Sequence, residues 1–160
     1  MAIETVPFTR EGYERLKQEL ETLKTIERPK IIREIADARS HGDLSENAEY
    51  HAAKEKQSFI EGRIAQLDDC TSRGKVVEYD EADATKRIKF GAYVTVVDSE
   101  SGEEKNFRIV GDLEADLANG LISLSSPIAK ALMGKSTGDL VEIHVPKGTV
   151  EYEITEVRFK

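Results

Sequence analysis

Apolar residues between positions 16 and 67 mirror one another about a single point. One run ascends through Leu16, Leu20, Leu23, Ile31 and Ile35, and a second descends through Ala52, Phe59, Ile60, Ile64 and Leu67. Leu20 and Leu67, Leu23 and Ile64, and Ile35 and Ala52 each lie equally far from a point between Asp43 and Leu44. Both runs have helical spacing, so a chain folded back at that point lays one apolar stripe against the other. Each arm has about 30 residues, which at about 1.5 Å per residue makes a rod on the order of 45 Å long. A lone helix pair buries little core, so a hairpin of that length is kept for its reach rather than for stability.

Local signals set the ends of the arms. Thr9 is a good N-cap for a helix starting near Glu11. Pro29 removes a backbone donor and crowds the preceding turn, which predicts a kink or break near Glu27–Arg28. His41-Gly42 ends the first arm, and the second is expected from about Ser45 to Cys70. Asp43 followed three residues later by Glu46 is a capping-box pattern, which by itself accounts for acids at this turn.

After the breaker cluster Thr71-Ser72-Arg73-Gly74 the pattern changes to short runs rich in β-branched and aromatic residues. Strands are expected at 76–79, 92–97, 105–110, 122–124, 141–145 and 150–154, with a last one near Phe159. Turns at 98–102 and 146–149 make two hairpins. Ser126 as N-cap and Pro127 as first residue open a short helix to Met133, closed by Gly134. The expected fold class is α+β, with an antiparallel helical hairpin over 1–75 and a mostly antiparallel sheet with one short helix over 76–160.

Charge narrows the function. The formal net charge is −8; residues 1–75 hold 13 Lys and Arg against 15 Asp and Glu, and residues 76–160 hold 10 against 16. A protein gripping bare nucleic acid by its phosphates needs a net basic surface, so any nucleic acid handled here is expected to be held by another macromolecule. The start MAIETVPFTR has no basic-then-apolar leader, and no stretch approaches the ~20 apolar residues of a membrane helix, which points to the cytoplasm and no membrane partner. The single Cys70 has no disulfide partner and no obvious base. His41, Asp43, Glu46 and His51 fit no standard zinc spacing, and the common nucleotide, hydrolase and metalloprotease motifs are missing from the sequence.

Asp43 and Glu46 remain. Mg²⁺ commonly takes only one or two protein carboxylates, with other ligands completing its shell. Two acids at the end of a rod can therefore complete a metal site that belongs mostly to another molecule.

The segment HGDLSENAEYHAAK (His41–Lys54), RPKIIREIADAR (Arg28–Arg39) before it and EGRI (Glu61–Ile64) after it resemble the GreA/GreB family of bacterial transcript cleavage factors. So do FRIVGDLEADLANGLISLSSPIAKALMGK (Phe107–Lys135) and VEYEITEV (Val150–Val157), and the resemblance covers essentially the whole chain. It implies an N-terminal coiled coil and an FKBP-like C-terminal domain. It further implies that the globular domain docks on bacterial RNA polymerase and that the coiled coil enters the secondary channel. There Asp43 and Glu46 help hold a Mg²⁺ ion shared with the polymerase active site, which then cuts the 3′ end of backtracked nascent RNA. Under this resemblance the chain is not an enzyme but a cofactor in trans, with no stably bound cofactor of its own. Leu44 and Asn47 are expected to shape the tip over 42–47. Arg39 and Lys54 match a basic patch that contacts the RNA, and Ser126, Pro127 and Ile128 match the docking region. Some relatives of the same architecture instead inhibit polymerase from the channel. With no Trp and few aromatics in the second half, no prolyl isomerase activity is expected from the FKBP-like fold.

Overall fold

A computed structural model of the chain describes residues 4–42, 47–78 and 87–159. The chain divides into two compact units, Met1–Val6 with Tyr13–Gly74, and Pro7–Gly12 with Lys75–Lys160. The second unit thus takes six residues from near the N-terminus, which the apolar pattern did not anticipate.

The elements in order are β1 (Val6–Phe8), α1 (Arg10–Thr22), a π-helical turn (Leu23–Glu27), α2 (Arg28–Arg39), α3 (Ala48–Ser72) and β2 (Gly74–Val76). β3 (Tyr93–Asp98), β4 (Glu104–Val110), β5 (Leu121–Ser123), α4 (Pro127–Leu132), β6 (Leu140–Val145) and β7 (Gly148–Arg158) follow. None of the described helices is long and apolar enough to cross a membrane.

In the first unit α2 packs on α3 along a seam of Ile31, Ile35, Ala53, Ile60 and Ile64, with Leu20, Leu23 and Tyr50 partly buried against it. Ion pairs cross the seam in antiparallel order, Lys24 to Asp68 at 3.1 Å, Arg28 to Glu61 at 2.8 Å and Glu34 to Lys56 at 3.9 Å. All are solvent-accessible, so they set register more than they add stability. Two members of the expected stripe are corrected. Ala52 is exposed and Ala53 takes its place, while Phe59 is 76% exposed beside a buried Ile60. Neighbours on a helix point about 100° apart, so only one of each pair can face the seam.

The expected interruption at Pro29 takes the form of the π-helical turn. The N–H of Arg28 bonds to the carbonyl of Leu23, five residues back, and α2 then starts with Pro29 in its first turn, where a missing donor costs little. Thr25 Oγ1 donates to the Glu21 carbonyl at 2.8 Å, satisfying an acceptor in the disturbed stretch.

At the far end Asn47 is the N-cap of α3, its Oδ1 accepting from the Tyr50 N–H at 3.0 Å. Its amide nitrogen donates across the turn to the carbonyl of Ala38, in the last turn of α2. One side chain thus satisfies a free donor of one helix and a free acceptor of the other. The helix starts three residues later than expected, at Ala48.

The second unit is built on a five-stranded sheet of order β5-β4-β3-β7-β6. Every pairing is antiparallel except β4 with β5. β7 is one continuous strand where two were expected; Gly148 at φ +132° opens it after a two-residue turn. The core gathers Val94, Val96, Ile109, Ile143 and Ile154 with Ala129 and Leu132 of α4. β2 stops at Val76, short of the expected strand, and Tyr79 lies outside the described residues.

A buried carboxylate ties the early segment into this unit. Glu114 is 3% exposed; its Oε2 accepts from the N–H groups of Thr9 at 3.1 Å and Gly111 at 2.9 Å, and its Oε1 from the Thr9 hydroxyl. The same hydroxyl accepts from the Gly12 N–H at 3.1 Å, so Thr9 does cap α1. A Cβ on Gly12 would stand 1.7 Å from Glu114 Oε1, which explains glycine inside a helix.

Two stability predictions follow from these contacts. Glu114→Ala strands three buried donors and is expected to cost about 3 kcal/mol in urea unfolding, with Gly12→Ala losing a similar amount by displacing the carboxylate. Asn47→Ala is expected to cost about 1 kcal/mol. Asn47→Asp keeps the acceptor but not the donor, so hydrogen exchange should stay slow at Tyr50 in that variant and quicken in Asn47→Ala.

Candidate functional site

The turn of the helical hairpin carries the sequence-predicted acids, and Asp43, Leu44 and Glu46 lie outside the described residues. Their flanks are defined. Gly42 at φ +131° follows the end of α2, and Asn47 opens α3. The capping role expected of Asp43 therefore falls to Asn47. An amide suits this position better than a carboxylate because it accepts and donates at once.

Behind the turn, α2 and α3 bring Arg39 and Lys54 to one depression of about 250 Å³, lined also by Ile32, Ile35, Ala36 and Gln57. Arg39 is exposed at its edge, its guanidinium 5.9 Å from the ring centre of Tyr50, a weak cation–π contact that orients it. Lys54 Nζ donates to Gln57 Oε1 at 3.3 Å. A separate depression of about 400 Å³ holds Glu34, Asp37, Glu49 and Lys56 over a floor that includes Ala38, Ala52 and Ala53. The hairpin thus shows two differently charged flanks, one whose ionisable lining is wholly cationic and one mainly acidic. His41 Nδ1 lies 3.1 Å from Glu49 Oε2, and the His51 ring meets Tyr50 edge-on at 5.6 Å. Among the described residues no group of three or more His, Cys, Asp or Glu is placed to hold a metal ion.

In the second unit Ser126 caps α4 by accepting from the Ala129 N–H at 3.2 Å, Pro127 is exposed as the first helical residue, and Ile128 is half-buried against the core. The segment before the cap is held by a residue that sequence reasoning missed. Asp112 Oδ1 accepts from the hydroxyls of Ser123 and Ser125, the latter at 2.8 Å, and the two hydroxyls are 2.9 Å apart. These bonds, Ser123 first, hold the Asp112 carboxyl below the usual carboxylate range against some desolvation. The only sequence signal was a Ser-x-Ser beside an N-cap serine.

A cleft of about 300 Å³ in the same unit gathers Arg10, Glu11, Glu78 and Arg108. Arg108 pairs with Glu11 at 3.3 Å and stacks 4.5 Å over Tyr93, and Arg10 pairs with Glu78, so its charges are neutralised where they stand.

Residues 6–76 match the family described as transcription elongation factor, N-terminal, and residues 74–159 match transcription elongation factor, GreA/GreB, C-term. The chain is 55% identical to the transcription elongation factor GreA of Cereibacter sphaeroides over 98% of its own length and 99% of that protein's. It is 56% identical to the GreA of Anaeromyxobacter sp. (strain K), over 98% of this chain and 94% of the relative. With the GreA of Alkalilimnicola ehrlichii it shares 53% identity over 96% of this chain and 98% of the other. Two family matches that together span nearly the whole chain, and full-length relatives at this identity, establish that the chain belongs to the GreA/GreB family of transcription elongation factors.

Proposed function

We propose that this chain stimulates RNA polymerase to cut the 3′ end of its own backtracked transcript. Its second unit docks on the enzyme through Ser126, Pro127 and Ile128, and its hairpin reaches the active centre through the secondary channel. The observation that supports this reading is the closed end of the hairpin, where Asn47 caps α3 and joins it to Ala38 of α2, directly after the two acids in sequence. Asp43 and Glu46 offer two carboxylates, a donor set that fits part of a Mg²⁺ shell and leaves the remaining ligands to polymerase and RNA. Such an ion, when bound, activates water and stabilises charge on the reacting phosphodiester oxygens. In this reading water is the nucleophile, and the chain acts as a cofactor in trans. Arg39 and Lys54 give the extruded RNA two cationic contacts on the flank they share.

Transcript cleavage in a stalled, backtracked complex tests this directly. Wild-type protein should release short 3′ fragments, and Asp43→Ala or Glu46→Ala should each slow release by about 10- to 100-fold while polymerase binding holds. Equal cleavage by wild type and both variants would leave the acids without a role. Slowed elongation without fragments would instead identify a channel inhibitor.

Docking makes a separate prediction. Asp112→Ala frees both serine hydroxyls and should weaken polymerase binding without changing the unfolding midpoint of the hairpin. Because the folded-state pKa of Asp112 is depressed, its hydrogen bonds are fully present above the ordinary carboxylate pKa and fail only as pH falls through the lower folded value. The Ser125 amide resonance should therefore stay put through the ordinary carboxylate range and move below it.

A further inference from the structure

The two edges of the five-stranded sheet differ. β5 closes one side with only three residues, a length that blunts an edge. β6 forms the other side with six residues, LVEIHV, and holds no proline, lysine or bulge. The direction of its backbone groups follows from the turn that ends it. Two residues separate Val145 from its partner Gly148, so that pair exchanges both backbone bonds, and bonded pairs recur at every second residue, at Ile143 and Val141. The Ile154 N–H, donating to the Asp139 carbonyl at 2.9 Å, continues the same alternation. Leu140, Glu142 and His144 therefore turn their N–H and C=O groups away from β7, toward an edge that pairs with no other described strand. Their side chains share an exposed face, and Leu140 is 60% exposed. Glu142 also lies directly opposite Glu151 of β7, a like-charge pair that costs stability unless a donor is brought beside it.

We infer that β6 pairs antiparallel with the β6 of a second copy of this chain, about a two-fold axis at Ile143, joining two sheets edge to edge. Complementarity along the strand selects the occupant and the register. With Ile143 opposite its counterpart, Glu142 of each copy meets His144 of the other, and Asp139 meets Lys147, so each complementary pair occurs twice. A carboxylate that only accepts thus faces a ring that carries a donor. The outward N–H and C=O groups of Glu142 and His144 bond to each other across the axis, and Val141 lies opposite Val145 on the core side. Pro146, which has no N–H, falls at the end of the ladder, where its carbonyl can still accept from Leu140. A slip of two residues one way sets Glu142 against Glu142, and the other way sets His144 against His144. A slip of one residue turns the buried Val141 and Ile143 of one copy to the exposed face of the other.

Pairing along one strand covers less than the ~1,200 Å² of the smaller stable interfaces, so dissociation is expected between about 10 μM and about 1 mM. The test is analytical ultracentrifugation of the full chain across that range, with amide hydrogen exchange measured at both ends of it. The wild-type chain should dimerise. Exchange at Glu142 and His144 should slow as the dimer forms, while Val141 and Ile143, already bonded to β7, should not change. His144→Glu sets like charges opposite each other twice and should weaken the dimer about 10-fold. Glu142→Lys combined with His144→Glu restores unlike pairs in the same register and should recover the dimer. Both side chains are exposed, and the urea unfolding midpoint verifies that each variant folds. A chain still monomeric at the top of the range would overturn the inference and leave the edge to an extended segment of a different protein. A dimer that His144→Glu does not weaken, or that forms without slower exchange at Glu142 and His144, would place the contact elsewhere and overturn it too. Failure of the double variant to recover the dimer would overturn the register and the inference with it.

Discussion

Two helices packed on each other have only one face each to bury, and that narrow seam governs the first unit. Ile31, Ile35, Ala53, Ile60 and Ile64 fill it, Ala38 and Leu67 are buried as well, and most other residues of α2 and α3 face outward. The flanks beside such a seam are therefore free to carry different chemistry without disturbing the fold. Here one flank gathers Arg39 and Lys54, and another gathers Glu34, Asp37 and Glu49. A globular core would have hidden much of that surface. A thin hairpin displays it, and its stability then depends on how its ends are closed.

The closures follow one economy in both units. Asn47 joins the last turn of α2 to the first turn of α3 through a single amide. Glu114 joins the start of α1 to the Gly111 turn through a single carboxylate. Each replaces a polar group's lost water with several directed bonds, the condition under which buried polar groups hold structure rather than weaken it. Both also demand particular neighbours. The Glu114 arrangement leaves no space for a side chain at position 12 or 111, where an added Cβ would meet Glu114 Oε1 at 1.7 Å or the Pro7 carbonyl oxygen at 2.6 Å.

What the sequence made legible was periodicity, and what it hid was anything set by contact between distant residues. The mirrored stripes gave the hairpin because a 3.6-residue repeat is a property of local spacing. They misassigned Ala52 and Phe59 because the true register rests on which neighbour turns inward, and the π-helical turn before Pro29 rotates one arm relative to a regular helix. The N-cap of α3 is Asn47, whose second bond reaches nine residues back to Ala38, while the capping-box pair Asp43 and Glu46 lies outside the described residues. Glu114 and Thr9 are 105 residues apart, and nothing in either neighbourhood announces the pairing. Arg39 and Lys54, named through the family resemblance, do line one depression with Ile32 and Gln57, a grouping that depends on α2 and α3 enclosing a space.

The proposed function accounts for a chain that carries its candidate acids on a hairpin turn rather than in a pocket. On that reading, a site assembled inside another enzyme gains nothing from a preformed pocket, which would bind metal or RNA before arrival. Two carboxylates hold Mg²⁺ weakly, because the ion surrenders its waters reluctantly and needs further ligands to do so. Two cations in a chain of net charge −8 likewise hold free RNA weakly. Both interactions strengthen only where a third party supplies the missing ligands and confines the strand, since binding then draws on a high effective concentration rather than on affinity. On the proposed function the hairpin has only to carry modest groups to such a place, and the Asn47 closure behind them matters more than the strength of any contact they make there.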